Sequence, residues 1–194
     1  MTNSFSSLTP DRVLDAPESL GLLSDGRLLA LNSYENRVPQ VDIEDDAPLV
    51  AKFYRPARWS DAAILEEHDF VQELAEREIP VVPALNIGGN TLHRFEGFRF
   101  AVFPKRGGRA PELEDRDTLE WMGRFLGRIH AIGALKPFTE RAARLPARAR
   151  LHSARPRCGL PQRGRSGAGR RAPLLRTRGR RHTLRLHGDC HAVI

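Results

Sequence analysis

No run of about 18 apolar residues occurs in this chain, so the sequence predicts no transmembrane helix. Residues 1–8 are polar and lack the basic-then-apolar layout of a signal peptide. Cysteine is scarce as well. Cys158 and Cys190 are too few for a disulfide framework. These absences point to the reducing cytoplasm with no membrane partner, and a monomer is the expected state.

Acidic residues are missing from one long stretch. Residues 142–181 hold 13 arginines and no lysine, aspartate, glutamate or aromatic residue. Without them, the 31 Lys+Arg of the chain fall to 18 against 24 Asp+Glu, and the net charge of +7 becomes −6. The basic balance therefore belongs to one segment and does not mark the whole protein as a nucleic-acid binder. One-signed charge without helical or strand periodicity cannot bury a core, so the stretch reads as disordered. A basic arm contacting phosphates is the alternative reading. The lack of aromatic side chains to stack on bases argues against it.

The rest of the chain is patterned. Thr9 and Pro10 start a helix as N-cap and first-turn proline. Residues 27–31, 37–43 and 49–54 alternate as strands of an antiparallel meander. Ser60 caps a helical stripe running to Glu78, and Pro80 and Pro83 stop it. Further strands are predicted at 84–87, 91–95 and 98–103. After a flexible crossing at 104–109, Asp117 with Glu120 makes a capping-box start for a helix ending near Leu135. This order gives an α+β class with an antiparallel sheet.

Lys52 lies inside the apolar strand LVAKFYR, where an ammonium needs a partner. Nucleotide phosphates and a helix carboxylate would provide it, and Glu66 and Glu67 sit on the next helix. An edge lysine facing water is the plainer reading. Ser33 and Asn36 lie in the loop between the first two strands and could donate to phosphate, although the loop is not glycine-rich. Near the end, His187-Gly188-Asp189 follows a short strand-like run, and Asp189 could accept the proton of an attacking hydroxyl. His187, Cys190 and His191 are too crowded for a structural zinc site.

LNSYENRV, AKFYRPARW, ILEEHDF, FRFAVFP, MGRFLGRIH and LRLHGDCHA together resemble the bacterial stress response kinase A family. These are serine/threonine kinases with the fold of aminoglycoside phosphotransferases and choline kinase. The resemblance covers about 31–132 and resumes at 184–192. It implies a protein-kinase-like N-terminal lobe at 1–103, a hinge and first helix of a truncated C-terminal lobe at 104–141 and a catalytic-loop stub at 182–194, with the arginine-rich, disordered segment at 142–181 between them. It also implies ATP and Mg2+, with a protein serine or threonine hydroxyl as acceptor. Ser33 would contact the nucleotide, Lys52 its phosphates, Glu67 would pair with Lys52, backbone around Phe103 would meet adenine, and Asp189 would be the base.

The sequence departs from the family twice. Ile194 stands where the family has its magnesium-binding asparagine, and a branched hydrocarbon offers no oxygen to a hard cation. The second magnesium ligand, an aspartate on the next strand, is not reached. Catalysis by this chain as written is therefore not expected. A nucleotide-binding fragment without catalysis is the alternative. Residues 142–181 replace mixed-charge helical sequence with the Arg, Ala, Pro and Gly that GC-rich DNA yields out of frame, which points to compensating frameshifts. Family-like sequence in a neighbouring reading frame of the gene is the expected sign.

Overall fold

The computed structural model describes residues 5–108, 111, 112 and 114–141. Asp189, Ile194, the arginine-rich insert and the catalytic-loop stub lie outside the described residues. The elements are α1 (Pro10–Glu18), β1 (Ser24–Leu31), β2 (Val38–Ile43), β3 (Leu49–Tyr54), α2 (Asp61–Glu76), β4 (His93–Phe95), β5 (Phe98–Pro104) and α3 (Arg116–Gly133). The strands form one antiparallel sheet in the order β1-β2-β3-β5-β4.

Period-two alternation divides the sheet into two faces. Ala51 and Phe53 of β3, Phe98, Phe100 and Val102 of β5, and Val41 and Ile43 of β2 point to one face. There they bury Val13 and Ala16 of α1. The alternate residues Tyr54 and Ala101 face the other way and pack on Ile64 of α2. A third cluster joins α2 to α3 through Phe70, Leu74, Ile129 and Ile132. Helix α2 is fixed at its start by Ser60, whose hydroxyl accepts from Ala63 N. Asp61 adds an ion pair to Arg99 of β5 at 2.8 Å.

β4 and β5 are joined by Glu96 and Gly97, both at positive φ (44° and 82°). Such a two-residue turn matches the twist of a hairpin. A side chain at Gly97 is strained in this region, so Gly97→Ala should cost about 1–2 kcal/mol in urea unfolding.

Two expectations are corrected. Residues 84–87 do not form a strand of the sheet. Leu85 N–H donates once to Val102 O at 2.8 Å, and beyond that the segment makes no ladder with the sheet. Ile87 spends its N–H and carbonyl locally, on Asn90 O at 2.9 Å and Asn90 N at 3.2 Å, rather than on the sheet. The cap of α3 is Asp115, not Asp117: its carboxylate accepts from Thr118 N at 2.9 Å and Thr118 Oγ1 at 2.7 Å. Asp117 lies within the first turn, where its charge still favours the helix.

Candidate functional site

β3 is the middle strand, bonded on both flanks, and its alternation turns Lys52 away from the Phe53 core. On the same face, Tyr54 lies two residues on, and the Lys52 ammonium sits 5.2 Å from its ring centroid. Glu67 faces the sheet from α2, because its helical neighbours Ile64, Phe70, Val71 and Leu74 are the buried ones. Lys52 Nζ is 3.4 Å from Glu67 Oε1. Both side chains are largely withdrawn from water, where an ion pair escapes most screening. The plain reading of Lys52 as a water-facing edge lysine is thereby excluded.

The pair borders a cavity of about 630 Å³ between the sheet and α3. Leu31, Val38, Val50, Ala84 and Phe103 give it an apolar wall on the sheet side, and Met122, Phe125 and Ile129 close it from α3. Asn32 and Ser33 of the β1–β2 loop overhang it, and Lys105 and Arg106 stand at its edge. A cavity of this size and make-up suits a flat apolar group with an anionic tail.

Of the residues predicted from sequence, Ser33, Lys52, Glu67 and Phe103 all line this one cavity. Asn36 does not. It is buried, and its carboxamide oxygen accepts from Arg55 N at 3.2 Å, which ties the loop to the end of β3.

Sequence reasoning missed several neighbours. His68 is buried, with Nε2 2.7 Å from Tyr54 Oη and Nδ1 2.9 Å from Thr91 Oγ1. Its edge meets the Phe103 ring at a centroid distance of 6.2 Å. Burial pushes its pKa down to about 4, helped by Lys52 and Arg141 and opposed by Glu67. A neutral imidazole suits both hydroxyls, since one nitrogen donates and the other accepts. Gln40 also lines the cavity, with Nε2 donating to Asp42 Oδ1 at 2.7 Å. Arg141 reaches Glu67 from the opposite side, Nη2 to Oε2 at 2.5 Å. The position of His68, one residue past Glu67 on the buried stripe, was a usable signal. Arg141 gave none, because it borders a segment already crowded with arginine.

The profile of the phosphotransferase enzyme family matches residues 27–193. The chain belongs to this family. A relative described as serine/threonine protein kinase RdoA, from Salmonella typhimurium, is 40% identical over 200 residues, covering 97% of this chain and 60% of the relative. Stress response kinase A of Escherichia coli K12 is 46% identical over 137 residues, covering 71% of this chain and 42% of the relative. The chain thus spans about three fifths or less of the curated relatives it matches. Among solved structures, amicoumacin kinase hAmiN in complex with AMP-PNP, Ca2+ and Ami superposes with a TM-score of 0.59 at 19% identity. That match covers 72% of this chain and 44% of the other, and it shows a shared kinase-like fold.

The position that the family resemblance assigns to a metal-binding residue, Ile194, lies outside the described residues. No group of three or more His, Cys, Asp or Glu side chains among them could hold a metal ion. Among the described residues, no helix is long and apolar enough to cross a membrane.

Proposed function

We propose that the cavity is an ATP site and that the chain is the nucleotide-binding part of a serine/threonine protein kinase of the stress response kinase A type. The observation that carries this reading is the Lys52–Glu67 pair at 3.4 Å, on the wall of a cavity that combines apolar sheet and helix walls with the polar Asn32, Ser33, Lys105 and Arg106. A lysine so held offers its ammonium as a point charge to phosphate oxygens. The apolar walls, with Phe103 among them, take the adenine, and backbone groups at the end of β5 read its edge. Ser33 donates to the phosphates from the overhanging loop.

In the whole enzyme, a serine or threonine hydroxyl of a protein attacks the γ-phosphorus. The bond to the bridging oxygen breaks, ADP leaves, and Asp189 takes the hydroxyl proton. Mg2+, when bound, neutralises charge on the phosphates. Ile194 at the family's magnesium asparagine supports a second reading for this chain, nucleotide binding without turnover.

Thermal unfolding with ATP tests the site. At about 100 times Kd, ATP should stabilise the chain by about 2.7 kcal/mol and raise Tm by about 5–10 °C. Lys52→Met should remove most of that rise. An unchanged Tm at millimolar ATP, with and without magnesium, would reject the site. A kinase assay on the same preparation separates the two readings: phosphorylated acceptor supports the first, and binding without turnover supports the second.

A further inference from the structure

Glu67 is shared. Its Oε1 faces Lys52 Nζ at 3.4 Å and its Oε2 faces Arg141 Nη2 at 2.5 Å, so each oxygen meets a different cation. Arg141 is not among the residues lining the cavity. It approaches from behind, its guanidinium carbon 4.6 Å from the ring centroid of Trp59.

Its backbone is held as firmly as its side chain. The neighbouring Glu66 accepts from the N–H groups of Thr139 (2.6 Å), Glu140 (3.0 Å) and Arg141 (3.0 Å), and from Thr139 Oγ1 (2.9 Å). Partial burial raises the Glu66 pKa, but the hydrogen bonds from Thr139, Arg141 and Glu140 outweigh it and leave the carboxyl below its usual range. Phe138 meets Phe70 of α2 edge-on at 5.6 Å. Two adjacent glutamates of α2 therefore clamp one short segment beyond α3. Glu66 takes its backbone and Glu67 takes its arginine.

We propose that Arg141 is a positioning residue for phosphate binding. By occupying Oε2, it fixes the rotamer of Glu67 so that only Oε1 is presented to Lys52. It also divides the carboxylate charge, so the lysine is steadied without being claimed by both oxygens and stays directed at a nucleotide phosphate. In this half-buried setting such attractions are strong enough to set geometry. The inference rests on the ATP reading of the cavity.

The test is equilibrium titration of the full chain with ATP and, separately, with adenosine, which fills the apolar walls but has no phosphate. Arg141→Gln should weaken ATP by about tenfold, the size of one charge-assisted hydrogen bond, and leave adenosine unchanged. Arg141→Lys keeps the charge without the planar stack and should recover part of the loss. If the glutamine variant does not fold, the lysine variant still reads the split between ATP and adenosine. Added to Lys52→Met, Arg141→Gln should cause no further loss. Equal losses for ATP and adenosine would show a merely structural role, and additive losses in the double variant would show action independent of Lys52. Either result overturns the proposal, as does an unchanged ATP affinity in Arg141→Gln. Failure of the wild-type chain to bind ATP, or full ATP affinity in Lys52→Met, would instead overturn the ATP reading and the inference with it.

Discussion

Phe53→Ala should destabilise the chain by about 3–5 kcal/mol, the cost of emptying a large aromatic site in a packed core. The ring is fully buried and lies 5.4 Å from that of Phe100, nearly parallel to it, between the sheet and α1. Its backbone is committed too: N–H donates to Arg37 O at 2.7 Å, and the carbonyl accepts from Arg37 N at 3.1 Å. These bonds hold the strand in place, so the cavity cannot close by backbone collapse. A domain of this size holds roughly 5–15 kcal/mol in total, and the variant should unfold near the foot of a urea titration. Leu29, 57% exposed on β1, is the control, since its alanine variant should change stability by under about 0.5 kcal/mol. Similar losses at both positions would contradict the two-faced sheet.

Acid should unfold the chain partly through His68. Its pKa of about 4 in the fold lies well below the value of 6.5 for a free imidazole. Between those values the unfolded chain binds the proton and the folded chain does not, so stability falls as pH is lowered. The contribution is complete above pH 6.5, erodes on the way to pH 4, and totals on the order of 3 kcal/mol. The physical source is plain. Burial penalises the charged imidazole first, and protonation would also remove the acceptor nitrogen that one of the Tyr54 and Thr91 hydroxyls uses. Urea titrations at pH 7 and pH 4.5 should show wild type losing about 2–3 kcal/mol more than His68→Gln, whose amide keeps one donor and one acceptor. Equal losses would exclude His68 as the titrating group.

The features legible in the sequence were those set by one element's own periodicity. Alternation in LVAKFYR placed Lys52 opposite Phe53, and the apolar stripe of ILEEHDF placed Glu67 inward, so the central ion pair followed from two local patterns. Ser60 was readable as a cap for the same reason. Choices among equivalent local options were not readable. Glu112, Glu114, Asp115 and Asp117 crowd the start of α3, and only the extended backbone at Asp115 (φ −84°, ψ 124°) selects the cap. Asn36 lay in the right loop, but which way a loop side chain turns depends on a backbone N–H nineteen positions away. Arg141 is the extreme case. Its partner is far off in sequence, and its type carries no information beside so many other arginines.

The strand order carries a mechanical consequence. β3 is stitched to β5 along its whole length, from Leu49 opposite Pro104 to Tyr54 opposite Arg99, and to β2 on its other flank. Lys52 thus rides on a rail that cannot slide without tearing two seams. Loosening of the Lys52–Glu67 pair is then left to the two side chains and to α2, which no ladder holds. Amide hydrogen exchange should accordingly stay slowest in the middle of β3, even under conditions that release the helix.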